Sequence, residues 1–334
     1  MQYSDIDFNT KTILITGGAG FIGSSLAFYF QENYPNSNIV VFDCFRNEMV
    51  FSNNNLQSFG HYENLVGFKG DVICGNLNNK NDLSLLNNYN FDYIFHHAAI
   101  SDTQVKDQEM IMKININSFY DIISLSMKND AVLVYASSAA TYGNAPSPQS
   151  LGNEKPINPY GFSKFAMDQI AYRTSKKYPN MSIIGLRFFN VYGPREYYKA
   201  STSSMVIQLG LQMLNGKKPR LFNGSDQIMR DFIYIEDVIQ ANIKACKAKK
   251  NGTYNIGTGT PRSFLDISNI LQKELNLNLN IEYFPNPYKK YQLHTQADIQ
   301  SSKENLDFVP LISLEEGIHR YAPDIVFTHL NSTI

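Results

Sequence analysis

The chain has 334 residues, 43% apolar and 18% charged, with 29 basic against 30 acidic side chains. That length carries one large α/β domain or a major and a minor one. The near-zero net charge gives no reason to expect nucleic acid or an anionic membrane as partner. No apolar run approaches the roughly 18–20 residues that span a bilayer, and the polar, acidic stretch to Thr10 is not a signal peptide. Cys44, Cys74 and Cys246 are far apart and read as reduced core or near-core thiols of a cytoplasmic protein. The histidines lack metal-ligand spacing, so no metal is expected.

Strand and helix signals alternate through the first 190 residues or so. Ile13 to Thr16 predicts a strand and Phe21 to Asn33 a helix, stopped by Tyr34-Pro35-Asn36. Strands follow at Asn38 to Asp43, Leu65 to Phe68 and Phe91 to His96, with a polar loop over 44–64 and a helix over Asp82 to Asn88. A long helix is expected over Glu109 to Lys128, a buried strand over Ala131 to Ser137, a helix from Pro159 to Tyr178 and a strand from Ser182 to Arg187. Such alternation predicts a doubly wound parallel sheet of Rossmann type. Beyond Arg187 the order loosens. Helices are expected over Thr202 to Asn215, Tyr234 to Ala248, Phe264 to Leu275 and Ser313 to Tyr321, with short strands at Arg220 to Phe222 and Thr253 to Ile256. This third reads as a smaller C-terminal α/β lid over the sheet's carboxyl edge. The expected division is 1–186 plus about 231–260 for the dinucleotide domain, and 187–230 plus 261–330 for the substrate domain.

Gly17, Gly20 and Gly23 stand between a β-branched strand and a helix. There the backbone must turn tightly and let a pyrophosphate touch the helix N-terminus. Asp43 ends the second strand, where a carboxylate can accept from a ribose hydroxyl, which favours NAD. Arg46 or Lys80 could instead meet a 2′-phosphate, which favours NADP. The residues leave that choice open. Tyr160 and Lys164 are four apart on one helix and share a face. The ammonium would lower the cost of ionising the phenol, and it could hold the nicotinamide ribose. Ser138, at a strand end, would hydrogen-bond the substrate oxygen that exchanges a proton. Together these residues predict hydride chemistry on a nicotinamide cofactor with a tyrosine as proton-transfer group.

The glycine loop, His96-His97-Ala98-Ala99, the serine-ended strand and Tyr160/Lys164 resemble the extended short-chain dehydrogenase/reductases that act on nucleotide sugars, over residues 10–322. Four further pieces are similar to the ADP-L-glycero-D-manno-heptose 6-epimerase subfamily. They are Tyr135-Ala136-Ser137-Ser138-Ala139-Ala140-Thr141-Tyr142-Gly143, Arg187-Phe188-Phe189-Asn190-Val191-Tyr192-Gly193-Pro194-Arg195-Glu196, Arg230-Asp231-Phe232 and His294-Thr295-Gln296-Ala297-Asp298. The resemblance implies an isomerase that interconverts ADP-D-glycero- and ADP-L-glycero-β-D-manno-heptose by transient oxidation at C-6″, with NADP held through turnover and Lys199 as a second acid/base beside Tyr160. It implies a cofactor lining of Phe21, Ile22, Asp43, Cys44, Lys80, His97, Ala98, Ala99, Ser101, Asn115, Lys164 and Val191. For the ADP-sugar it implies Asn190, Ser201, Gln208, Phe222, Asn223, Gly224, Ser225, Arg230 and Tyr291, Arg230 being suited to a diphosphate by its planar fork. It also implies a homopentamer and a product that feeds the inner core of lipopolysaccharide. At His97 and Gln208 the chain departs from the Glu and His that family members can carry.

Three other functions are weighed. A nucleotide-sugar dehydratase needs an acid/base pair after the strand-end serine, where Ala139 and Ala140 stand. A UDP-hexose 4-epimerase shares the glycine loop, Ser138 and Tyr160/Lys164 but does not need Lys199. A catalytically dead NADP-binding regulator would not need Ser138, Tyr160 and Lys164 intact.

Overall fold

The structure, a computed structural model, describes residues 2–287 and 292–332. Tyr291 lies outside the described residues. The strands in chain order are β1 (Thr12–Thr16), β2 (Asn38–Asp43), β3 (Asp71–Cys74), β4 (Tyr93–His96), β5 (Val132–Ser138), β6 (Ile183–Phe188), β7 (Asn190–Tyr192), β8 (Arg220–Phe222), β9 (Met229–Tyr234), β10 (Gly252–Ile256), β11 (Pro261–Ser263) and β12 (Glu282–Phe284). The helices are α1 (Phe21–Asn33), α2 (Lys80–Ser84), α3 (Gln108–Ile111), α4 (Ser118–Asn129), α5 (Pro159–Lys177), α6 (Met205–Leu214), α7 (Ile235–Ala245), α8 (Phe264–Glu274), α9 (Gln300–Leu306) and α10 (Leu314–Ser332).

Seven of these strands form one parallel sheet in the order β10-β6-β5-β4-β1-β2-β3. Its central strands are apolar and β-branched because helices cover both faces; β1 and β2 bury all but their first residues. The order reverses between β1 and β4, the crevice where such sheets take ligands. The register puts Thr16 beside both Phe42 and His96, and Ser138 beside Phe188, so these strand ends share one carboxyl edge. Outside this sheet, β7, β9 and β11 form a three-stranded sheet, and β8 pairs with β12. Helices α6, α8 and α10 pack against one another beside these small sheets.

Four expectations need correction. Leu65 to Phe68 is not a strand: a 3-10 turn covers Tyr62–Leu65, Gly67 adopts φ +86°, and the strand beside β2 is Asp71–Cys74. As a mostly exposed edge strand, β3 lacks the apolar run that marks its neighbours. Second, the single long helix before β5 contains a π-helical segment, Met112–Asn117, between α3 and α4. Third, α10 runs past Tyr321 to Ser332 despite Pro323 inside it. Fourth, Cys44 and Cys74 are exposed rather than buried, and only Cys246 is partly covered; all three are free thiols. Among the described residues no helix is long and apolar enough to cross a membrane, and no cluster of His, Cys, Asp or Glu could hold a metal.

Candidate active site

A cavity of about 410 Å³ opens along the carboxyl edge. It brings together sixteen of the residues singled out from the sequence: Gly17, Gly20, Phe21, Ile22, Gly23, Asp43, Cys44, His97, Ala98, Ala99, Ser101, Ser138, Tyr160, Lys164, Val191 and Lys199.

The glycine loop forms one wall. Gly17 has φ +70°, and a Cβ there would stand 2.7 Å from the Ala98 amide nitrogen. A Cβ on Gly23 would stand 2.2 Å from the Gly17 carbonyl oxygen, so strand and helix approach only as glycines. Gly20 caps α1 with no side-chain hydrogen bond, and the first turn of α1 carries no acidic residue. Its leading N–H groups therefore face the cavity as an anion site. Asp43 is buried and takes main-chain N–H bonds from Ala19 (3.0 Å) and Phe45 (2.8 Å), so it also shapes the loop. Burial pushes its carboxyl up, and the two N–H bonds oppose that. This bare, glycine-walled cradle fits a dinucleotide.

Helix α5 supplies the next wall. Asn158 caps it by accepting from the Gly161 N–H at 2.7 Å, and Pro159 opens its first turn. Tyr160 and Lys164 lie on its buried face, with the ammonium 6.0 Å from the centre of the phenol ring. Lys164 Nζ donates to the Ala136 carbonyl at 2.7 Å. Burial lowers its pKa to about 8, opposed by the Asp168 charge. Burial raises the Tyr160 phenol, and a hydrogen bond from Ser138 opposes that rise. His97 is held neutral, its pKa lowered to about 3 by burial and by the Lys164 charge.

Lys199 also lines the cavity, from a 3-10 turn spanning Tyr197–Thr202. Its ammonium sits 5.8 Å from the centre of the Phe21 ring. Burial lowers its pKa, and Glu196 opposes that. Two protonatable groups, Tyr160 and Lys199, thus line one cavity from different elements, and either is of a type that can exchange a proton with a bound substrate.

Other expected residues lie outside this lining. Arg46 turns its guanidinium to the Tyr198 carbonyl and ring. Lys80 is exposed and ion-paired with Asp121 at 2.5 Å. Asn115, in the π-helical segment, donates to the Ile100 carbonyl (3.0 Å) and Ser163 Oγ (2.9 Å), tying α5 to the loop after β4. Asn190 is exposed in β7. Gln208 lines a separate cavity of about 310 Å³ against α6, and donates to the main-chain carbonyls of Ser201 and Ser203. Phe222 ends β8, and Asn223, Gly224 and Ser225 form the turn after it; Gly224 has φ +75°, and the Asn223 N–H bonds to the Phe284 carbonyl at 2.8 Å. Arg230 is buried and donates to the carbonyls of Met229 and Gln292.

Two features escaped the sequence. Phe51 and Gln57 to Gly60 line the cavity, from a polar loop without periodicity. Beneath Lys164, Arg187 on β6 pairs with Asp168 (2.8 Å) and Glu154 (2.5 Å), while Ser137 and Tyr135 donate to Asp168. Replacing Arg187 with Met strands a buried Asp168 carboxylate. The expected loss is about 3–5 kcal/mol of stability, read as a lower urea midpoint; a loss under about 1 kcal/mol would show the network to be dispensable.

The fold and cavity define a dinucleotide-dependent enzyme of the short-chain dehydrogenase type. The model of the NAD dependent epimerase/dehydratase family matches residues 13–257, and the chain belongs to that family. It is 35% identical over 317 residues to an ADP-L-glycero-D-manno-heptose-6-epimerase of Brachyspira hyodysenteriae, covering 93% of this chain and 96% of that one. The crystal structure of Helicobacter pylori ADP-L-glycero-D-manno-heptose-6-epimerase superposes with a TM-score of 0.89 at 47% identity, covering 98% and 99% of the two chains. The UDP-glucose 4-epimerase of Thermotoga maritima, solved with UDP-glucose, gives 0.84 at 26% identity over 95% and 99%.

Proposed function

We propose that the protein interconverts ADP-D-glycero-β-D-manno-heptose and ADP-L-glycero-β-D-manno-heptose. The observation that carries this is the meeting of Ser138, Tyr160, Lys164 and Lys199 with the glycine loop in one cavity. Similarity to the two heptose epimerases supports the substrate over a UDP-hexose.

A nicotinamide dinucleotide supplies a hydride acceptor that returns the hydride within the same turnover. The glycine loop and the N-terminus of α1 would hold its pyrophosphate, and Lys164 its nicotinamide ribose. Tyr160 takes the proton of the C-6″ hydroxyl as the carbon loses hydride, giving a 6-keto sugar. Ser138 donates to the reacting oxygen and lowers the cost of its charge. The keto sugar then turns its other face to the nicotinamide position, which carries its oxygen away from Tyr160. Lys199, which lines the same cavity, is the second donor in this reading and returns a proton to that oxygen. Residues 1–186 with about 231–260 serve the cofactor in this reading, and 187–230 with 261–330 serve the sugar nucleotide. A cytoplasmic homopentamer is part of the proposal, and light scattering of the purified protein tests the pentamer.

NADP is proposed over NAD on one feature: Arg46 follows Asp43 by three residues, and its buried Nε has no hydrogen-bond partner among the described residues. Arg46→Ala is expected to weaken NADP binding about tenfold more than NAD binding; equal losses by titration would remove the 2′-phosphate assignment.

Proton NMR tests the function. The purified protein is given ADP-D-glycero-β-D-manno-heptose, and separately UDP-glucose, without added cofactor. Growth of the 6″-epimer is expected; formation of a galactose signal would favour a 4-epimerase.

A further inference from the structure

We infer that His61 and the turn Tyr62–Leu65 form a bridge from the glycine loop to Lys199, and that His61 is a positioning residue for the second acid/base. The inference rests on the proposed role of Lys199.

One end of the bridge grips the glycine loop. The His61 N–H donates to the Ala19 carbonyl at 3.0 Å, and Asn64 Nδ2 donates to the same carbonyl at 3.1 Å. Ala19 is itself fixed through its N–H to Asp43.

The other end grips the segment that carries Lys199. The His61 ring lies flat on the ring of Tyr198, with 3.8 Å between centres and 4° between planes. Arg195 Nη1 donates to the Asn64 carbonyl at 2.6 Å, and its guanidinium rests 3.9 Å from the centre of the Phe28 ring on α1. Arg46 donates to the Tyr198 carbonyl, and Ser201 Oγ donates to Asn55 Oδ1 at 2.7 Å. Arg195, Tyr198 and Ser201 flank Lys199 on both sides, and each is held from the 46–64 loop.

The segment has reason to need holding. Arg195 and Ala200 adopt φ +75° and +49°, a region that side chains other than glycine rarely enter. Such backbone persists when the surroundings over-determine it. Burial and the Arg46 charge keep the His61 imidazole neutral, which suits a flat stack beside a guanidinium.

Two substitutions separate the ring stack from simple structure. His61→Ala removes the ring; His61→Phe keeps a flat ring but loses the Nδ1 acceptor for the Glu63 N–H. For His61→Ala, kcat is expected to fall about tenfold, with KM and retained cofactor within about twofold of the parent. His61→Phe is expected to restore most of kcat. Rapid mixing with each epimer should show His61→Ala slowing the same half-reaction as Lys199→Met, by the appearance of reduced-nicotinamide absorbance. Unchanged kcat in His61→Ala, a loss that Phe does not restore, or a defect in the Tyr160 half-reaction would overturn the bridge. If His61→Ala does not fold, Tyr198→Leu removes the stack from the other side and is judged by the same outcomes. An unmodified protein that fails to epimerise ADP-heptose would instead overturn the function on which the bridge rests.

Discussion

Tyr160→Phe is expected to lower epimerisation by on the order of 10²-fold or more, the contribution of a positioned proton-transfer group. The change removes one oxygen and leaves the buried ring beside the Lys164 ammonium. An ordinary phenol has a pKa near 10, so ionising it at pH 7 costs about 4 kcal/mol. Burial in this cavity raises that cost further, and Ser138 opposes it. The buried ammonium of Lys164, 6.0 Å from the phenol ring, is the positive charge on the same helix that can offset the rest. Turnover with both ADP-heptose epimers and cofactor content of the purified variant check the expectation. Near-normal turnover with bound cofactor would remove Tyr160 from the proton path.

Lys199→Met carries the second large effect, again about 10²-fold or more in turnover. Methionine keeps much of the stem length but has no ammonium and no proton to give. With only one acid/base left, one face of the keto sugar lacks a donor. The two directions should therefore respond unequally in single-turnover measurements, with reduced cofactor persisting from one epimer. Equal slowing in both directions, or normal turnover, would return Lys199 to a binding role. A UDP-hexose 4-epimerase would not need this lysine, so the variant also separates the two readings.

The parts of the site that were legible in the sequence are local. Gly17, Gly20 and Gly23 mark a strand-to-helix turn through their own backbone demands, and Tyr160 and Lys164 share a face because they are four apart on one helix. Ser138 and Asp43 sit at the carboxyl ends of β-branched runs. The parts that were not legible depend on distant partners. Nothing near Arg46 announces that it turns to Tyr198, some 152 positions away. Lys80 meets Asp121 from another helix. The strands β7, β11 and β12 have three residues each, too few for a period, and their partners lie far off in the chain. The contribution of 51–60 to the cavity comes from a loop without apolar repeat. Asn115 was legible as a residue but not as a strut, because the π-helical segment that aims it at Ser163 leaves no mark in the spacing.

The central claim is that C-6″ is oxidised and then receives the same hydride on its other face. ADP-D-glycero-β-D-manno-heptose carrying deuterium at C-6″ tests it most directly, incubated in ordinary water with the purified protein and followed by NMR. The L-glycero product is expected to keep deuterium at C-6″. Replacement of that deuterium by hydrogen from water would contradict it, and would point to removal of a proton from carbon instead.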